Sequence, residues 1–231
     1  MNIKESRVVT GSKESTLPAT TFIDVFYHRG LPSEERRKFI TWATEIALDA
    51  FGRKDAVEFR KSVLAVLQNH FVVFLLKGDR PFAFISTNFF EVESVGVLYV
   101  EGMAVKNSYQ GGGVATKLVE SAFSIACKKG LKIDFIAGKT QNPAVAKSRM
   151  NYCQEVYPIS APPTPLVIKI VNAVRGEKGL TKIFEEELLI ERDSFPCPLS
   201  ANRPCTTDLV INRFFDEHVG ERDSVFIVGK I

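Results

Sequence analysis

Met103-Ala-Val-Lys-Asn-Ser-Tyr-Gln-Gly-Gly-Gly-Val-Ala-Thr-Lys-Leu118 is the stretch on which the reading of this chain turns. An apolar, strand-like run ends at Val105, a short polar turn follows, and three glycines lead into an amphipathic helix. Glycines at a helix start let backbone N–H groups come close to a ligand with no Cβ in the way. Four orphan N–H donors and the positive end of the helix dipole converge on the same spot. The segment therefore reads as an anion cradle suited to phosphate.

Two common phosphate loops do not fit. A Walker loop needs Gly-Lys-Ser/Thr, whereas Gly113 is followed by Val114-Ala-Thr-Lys117. A dinucleotide fingerprint needs a further glycine where Thr116 stands. Gln110-x-x-Gly113-x-Ala115 after a Val-ended strand instead resembles the pyrophosphate loop of the GNAT superfamily of acetyl-CoA-dependent N-acetyltransferases. The resemblance covers roughly residues 20 to 158 and is specific for fold and cofactor rather than for acceptor. A bare glycine triplet, taken alone, reads as a tight entry to a helix; the flanking strand and helix pattern moves the balance toward a ligand loop.

Outward from this stretch, the elements follow in a consistent order. Thr21 to Tyr27 reads as a strand, and residues 1–20 as a loose tail or first edge segment. Pro32 and Ser33 open a helix with Glu34 and Glu35 in its first turn and Phe39, Ala43, Ile46 and Ala50 on one face. Asp55 and Glu58 form a capping-box pattern for a second helix through Phe59, Val63 and Val66. Phe71–Leu76 and Pro81–Ser86 flank a turn and read as a hairpin. A loop near Asn88 to Ser94 then leads to the strand Val97–Val105. The helix beyond the glycines places Ala115, Leu118, Val119, Ala122, Ile125 and Ala126 at helical spacing, and Gly130 caps it. Leu131–Ala137 reads as the next strand, completing a βαβ crossover, and Asn142 caps a helix with Pro143 in its first position.

This order predicts a mixed α/β (α+β) sheet, the GNAT acyl-CoA N-acyltransferase fold, with a C-terminal insertion before the last strand. The chain reads as one domain spanning 1–231: a core at about 20–158, an insertion or lid at 159–223, and a last strand at 224–231. A Pro-rich hinge, Tyr157 to Pro165, opens the insertion; a short helix at Leu166–Val174 and another near Asp208–Val219 follow. The other arrangement is a separate dimerising or lid element at 160–231.

Composition narrows the classes. The 231 residues carry a formal net charge of +3, with 45% hydrophobic and 25% charged residues, as in an ordinary globular domain. So small a basic excess argues against nucleic-acid and membrane partners. No 18-residue uncharged apolar run or signal-like segment occurs, so a cytoplasmic protein is expected. Cys127, Cys153, Cys197 and Cys205 sit at no zinc spacing, so no metal is expected. Cys197 and Cys205 would close a small loop only in an oxidising compartment, and free thiols are the expected state.

The resemblance implies site residues. The backbone from Gln110 through Gly111, Gly112, Gly113, Val114, Ala115 and Thr116 would hold the pyrophosphate of acetyl-CoA. Gly102, inside the strand, marks either a bulge that frees main chain for pantetheine or a packing constraint. The main chain of Met103, Ala104 and Val105 would then lie beside the thioester and stabilise its oxyanion. Glu101 shares a strand face with Tyr99 and Met103 and occupies a position some family members use for a base; its other reading is a solvated carboxylate. Asn142 would contact pantetheine or pyrophosphate, or serve only as an N-cap. Seven residues on, where the family places a Tyr that protonates the leaving thiolate, stands Arg149; Tyr152, ten residues on and on the same helical face, is the candidate, with Tyr157 or water as alternatives. The implied activity is acetyl transfer from acetyl-CoA to a primary amine of a small molecule or peptide. A non-catalytic acyl-CoA-binding or interaction module of the same fold is the second reading. The acceptor groove is expected from the first helix pair, the loop at Asn88–Ser94 and the insertion, and oligomeric state stays open, a homodimer included.

Overall fold

The computed structural model of the protein describes residues 8–9, 20–27, 33–53, 56–67, 70–200 and 203–231. The chain divides into two compact units, Met1–Asn88 with Glu101–Ile125, and Phe89–Val100 with Ala126–Ile231.

The first unit begins with β1 (Val8–Val9) antiparallel to β2 (Thr20–Tyr27). Helix α1 (Ser33–Phe51) follows, with Glu34 and Glu35 complementing its N-terminal dipole. Phe39, Ala43, Ile46 and Ala47 are buried at i, i+4, i+7 and i+8, the inward face that the sequence predicts. Helix α2 (Ala56–Leu67) comes next; Asp55 and the capping box it would form lie outside the described residues. β3 (His70–Lys77) and β4 (Arg80–Val92) make the expected hairpin, paired from Phe71–Thr87 to Lys77–Arg80 with a register shift between Leu75 and Leu76, and with Gly78 at φ +59° in the turn. The core joins Phe39, Ala43 and Ile46 of α1 and Val63 and Leu67 of α2 to Val72, Phe74, Leu76 and Phe84 of the sheet.

Three sequence expectations need correction. β4 runs on through Val92, and β5 (Val95–Val105) begins three residues later, so there is no loop at Asn88–Ser94. Glu93 (φ +49°) and Ser94 (φ +67°) form a two-residue turn with both central residues left-handed, the conformation that usually signals itself as Asn-Gly. Leu131 does not start a strand. Gly130 (φ +74°) ends helix α3 (Val114–Lys128), and the Leu131 N–H returns to the Ala126 carbonyl at 3.0 Å, so β6 occupies Phe135–Thr140. The third correction concerns Tyr152, which lies beyond helix α4 (Pro143–Met150), in the turn after it rather than along its axis.

In the second unit β6 pairs in parallel with β5, from Val97–Phe135 to Val100–Gly138, as a crossover connection requires. The final strand, β10 (Ser224–Lys230), is antiparallel to β6 from Val225–Thr140 to Lys230–Phe135. Between them in sequence come β7 (Glu155–Tyr157), α5 (Pro165–Glu177), β8 (Phe184–Glu185), β9 (Ile190–Glu191) and α6 (Leu209–His218). The short β7, β8 and β9 carry no periodicity long enough to be read from sequence; β7 and β9 both pair with β10. Val97, Tyr99, Ala137, Phe226 and Val228 form a core with Val167, Ile170, Val171 and Val174 of α5. A second cluster packs Ile211, Phe215 and Val219 against Ala146, Val225 and Ile227.

One buried carboxylate fastens this unit. Glu191 is 1% exposed and accepts from Lys139 Nζ at 2.9 Å, Ser194 Oγ at 2.6 Å and Arg175 Nε at 3.5 Å. Burial raises its pKa, but those three donors more than offset burial and hold it below the ordinary value. Arg192 does the same to Glu185 and Asp223, donating to the former at 2.7 Å and the latter at 2.5 Å. All three folded-state pKa values are depressed, so this stabilisation is present above the unfolded carboxylate range near pH 4.5 and is lost as pH falls below it. Urea denaturation at neutral pH should show Glu191→Gln destabilised by about 3 kcal/mol, because two cations lose their partner. The difference from the parent should shrink on acidification.

Candidate functional site

The glycine segment and the Glu101–Val105 end of the strand that feeds it lie in the first unit. β5 ends at Val105, and a single 3-10 turn, Asn107–Tyr109, changes the chain direction before the glycines. Four contacts fix that turn. The Asn107 N–H donates to Asp49 Oδ1, and Asn107 Nδ2 donates to the Asp49 carbonyl, both at 2.6 Å. Tyr109 stacks on Phe82 with ring centroids 4.4 Å apart. The Lys106 N–H donates to the Phe82 carbonyl at 2.9 Å. Gln110 then braces the loop with its side chain, Nε2 donating to Val105 O at 2.9 Å and Asn107 Oδ1 at 3.0 Å. Its own N–H donates to Asn107 O at 3.2 Å, so Gln110 supports the loop and the run of outward donors starts after it.

Gly111 and Gly113 sit at φ +82° and +73°, a region costly for any residue with a Cβ. Around all three glycines a Cβ would meet nothing within 4 Å, so no neighbouring atom of the protein demands a glycine there. Backbone conformation requires two of them, and the surface they leave is open backbone. The first α3 bond outside the helix proper is Lys117 N–H to Gly113 O at 3.1 Å. The N–H groups of Val114, Ala115 and Thr116 therefore belong to the first turn, which has no intrahelical acceptors. Val114, Leu118, Val119, Ala122 and Ala126 are buried and anchor α3, while the glycines stay exposed.

β5 presents two different faces. Ala104 packs in the core with α1 and α2, and a Cβ on Gly102 would come within 2.6 Å of Val66 Cγ1. Gly102 thus makes room for a helix side chain. Glu101 and Met103 alternate to the opposite face, and both are half-buried. The parallel ladder with β6 has its last pair at Val100–Gly138, so Glu101–Val105 lie beyond it.

Asn142 and Tyr152 belong to the second unit. Asn142 is the N-cap of α4: its Oδ1 accepts from Ala144 N at 2.9 Å, and its N–H donates to Thr140 Oγ1 at 2.9 Å. Gln141 beside it is buried and fully used, donating to the Glu221 and Asp223 carbonyls and accepting from Leu199 N. Arg149 is 3% exposed, and its Nη1 donates to Ile136 O at 2.7 Å. A Cβ on Gly138 would lie 2.8 Å from Arg149 Nη2, so glycine on β6 admits the guanidinium. Burial raises the Tyr152 phenol pKa, partly countered by Arg149, so the hydroxyl keeps its proton through neutral pH. Tyr157 is a core residue: it is 4% exposed, its hydroxyl donates to Glu155 Oε2, and burial first and Glu155 second push it up to about 12.

The braces were not legible in the sequence. Asp49 and Asn107 stand 58 residues apart, and no local pattern links them. The four cysteines are free, with Cys127, Cys197 and Cys205 exposed. Among the described residues, no cluster of three His, Cys, Asp or Glu side chains is placed to hold a metal ion, and no helix is long and apolar enough to cross a membrane.

Two substitution sets test the local physics. Gly111→Ala and Gly113→Ala should each cost about 1 kcal/mol in chemical denaturation, the left-handed penalty for a Cβ. Gly112→Ala, with neither positive φ nor crowding, should stay within roughly 0.5 kcal/mol of the parent. Burial pushes the Cys153 thiol from its ordinary 9.0 to about 11. A raised folded-state pKa gives stability that is whole below pH 9 and lost as pH climbs to 11. Stability should fall over that window by up to about 2 kcal/mol, and Cys153→Ala should flatten the slope.

Residues 36–147 match the family model described as the acetyltransferase (GNAT) family. No curated protein sequence matches the chain. Among solved structures the chain is similar to a Pyrococcus horikoshii protein described as an acetyltransferase, with 15% identity, 58% of this chain and 44% of that one covered, and a TM-score of 0.42. This chain thus spans less than half the length of that protein. It is also similar to an aminoglycoside acetyltransferase from an uncultured soil metagenomic sample solved with sisomicin (14% identity; 59% and 89% covered; TM-score 0.42). A third is an aminoglycoside N-acetyltransferase in complex with CoA (14% identity; 58% and 84% covered; TM-score 0.41). The match takes in most of α1, all of β5, the glycine segment and most of α4, so residues 36–147 are similar to a domain of the acetyltransferase (GNAT) family.

Proposed function

We propose that this chain is an N-acetyltransferase that moves the acetyl group of acetyl-CoA to a primary amine by direct attack. The observation that carries the reading is the braced mouth of α3, where two left-handed glycines precede a first helical turn whose N–H groups have no intrahelical acceptor. A diphosphate is matched by such a set because its charge meets donors already in place, and charge-assisted bonds are the strong ones. Gly111 to Thr116 take the pyrophosphate, with Gln110 bracing them.

The chemistry follows from the residues beside that loop. The main chain of Met103, Ala104 and Val105 lies past the end of the β5–β6 ladder, which supports a role in pairing with the pantetheine arm and holding the thioester oxyanion. Glu101 accepts the proton from the incoming ammonium. The neutral nitrogen attacks the thioester carbon, the C–N bond forms, and the C–S bond breaks. CoA leaves as a thiolate and takes a proton from the Tyr152 phenol, and the second proton of the attacking nitrogen, shed as the amide forms, restores the phenol. Asn142 keeps its Oδ1 for capping, so its Nδ2 end is the part offered to the cofactor. Positioning supplies the larger share of the rate, with the base adding about 10²–10⁴-fold.

The acceptor is a small molecule or peptide amine. Residues 1–231 act in this proposal as one GNAT domain, cytoplasmic, with 159–223 as its insertion; the pinning of Glu191 and Arg192 favours a fixed strap over a lid. One observation favours a second reading, a non-catalytic acyl-CoA-binding module: α4 ends before Tyr152, and Arg149 is turned into the core.

Two measurements separate these readings. Acetyl-CoA at about 100 times its Kd should add about 2.7 kcal/mol of stability, and no thermal shift with acetyl-CoA or CoA would end both. Thiol release with a panel of amines then decides between them. Glu101→Gln should lower kcat by about 10²–10⁴-fold while acetyl-CoA affinity stays within a few-fold of the parent. A Glu101→Gln protein with undiminished turnover would remove the base.

A further inference from the structure

Val66, next to the last residue of α2, is held by both its backbone and its side chain. Its carbonyl is among the last four of the helix, which have no intrahelical donor. The hydroxyl of the fully buried Ser86 on β4 donates to it at 2.7 Å. The Val66 side chain lies over Gly102 on β5, the strand beside β4, and packs against the core that contains Ala104. A Cβ on Gly102 would stand 2.6 Å from Val66 Cγ1, 3.5 Å from Cγ2 and 3.7 Å from Cβ. Carbon atoms pack best at about 3.5–4.0 Å, so an alanine there would force strand and helix apart by about 1 Å. Val66 does not swing aside cheaply, because a β-branched side chain in a helix has one strongly preferred χ1. Glycine weakens a strand interior, and this close approach is what the weakening allows.

We infer that Gly102, Val66 and Ser86 are positioning residues: the Val66 methyl seated over the glycine, with the helix end tied to Ser86, sets where β5 runs. Glu101 and Met103 flank Gly102 in sequence, and their side chains take the opposite face of the strand. The clamp therefore fixes the base and the oxyanion main chain from behind, and acts only through them. This rests on the reading of Glu101 as the base and of the Met103–Val105 main chain as the oxyanion's partner. A misplacement of about 1 Å at reacting groups costs on the order of 10²-fold in rate. Gly102→Ala imposes a displacement of that size without altering any group that reacts.

The test is a double-mutant cycle on the full chain: the parent, Gly102→Ala, Val66→Ala and the double variant, each checked for folding by circular dichroism. In the parent background Gly102→Ala should lower kcat by about 10²-fold while acetyl-CoA affinity changes only a few-fold. In the Val66→Ala background, where the methyls it would strike are gone, the same change should cost kcat no more than a few-fold. Equal losses in the two backgrounds, or a folded Gly102→Ala protein with the parent kcat, would overturn the inference. A purely structural glycine would alter stability and leave the kcat of the folded protein unchanged. Amide NMR of the same proteins reads the clamp without turnover. Gly102→Ala should shift the Glu101 and Met103 amides further in the parent than in the Val66→Ala background, and equal shifts would also overturn it. Should Gly102→Ala unfold, Ser86→Ala, which loosens the clamp without crowding it, takes its place in both measurements; a parent-like kcat with unmoved Glu101 and Met103 amides then sinks the idea. Glu101→Gln is read separately: undiminished turnover there would remove the base while leaving the background-dependent amide shifts standing.

Discussion

The account rests on an imbalance of hydrogen bonds at the start of α3. A helix begins with donors that its own backbone cannot satisfy, and a protein normally answers with a capping side chain. Here three glycines precede the first turn, and two of them are twisted into left-handed conformations. No neighbouring atom lies within 4 Å of where a side chain on these glycines would stand, and the N–H groups of the first turn have no acceptor in the helix. Everything nearby keeps that arrangement rigid rather than relieving it. Asp49 holds Asn107, Phe82 holds Tyr109, and Gln110 returns its side chain to the end of β5.

Preorganisation is what such bracing gains. A loop that had to collect its donors at the moment of binding would lose affinity to the ordering of its own backbone. The same economy shapes β5, whose inner face is reduced to Gly102 and Ala104 so that α2 packs closely, while Glu101 and Met103 take the other side. In the second unit, Glu191 and Arg192 fix the 184–195 strap by buried and half-buried ion pairs, which is a stiff construction.

Much of this was legible from residues alone, because it depended on local patterns. The 3.6-residue spacing of Phe39, Ala43 and Ile46, the Lys-Gly-Asp-Arg turn and the Asn142-Pro143 helix start each carry their own signal. The misreadings share one cause. Glu93-Ser94 adopts a turn usually written with Asn and Gly, Leu131 closes a helix rather than opening a strand, and α4 stops two residues short of Tyr152. In each case the residue types carry no mark of the turn or helix end that the backbone adopts there. The Arg149 slot looked irregular as a sequence, and only its burial against Ile136 and Gly138 gives it a physical meaning.

The central claim is that the amides from Gly111 to Thr116 receive a diphosphate, and amide NMR reads those groups one at a time. Titrating CoA into ¹⁵N-labelled protein should move the Gly111, Gly112, Gly113, Val114, Ala115 and Thr116 resonances most, with dephosphorylated pantetheine moving them far less. A CoA titration that leaves these six amides in place while shifting others would contradict the account.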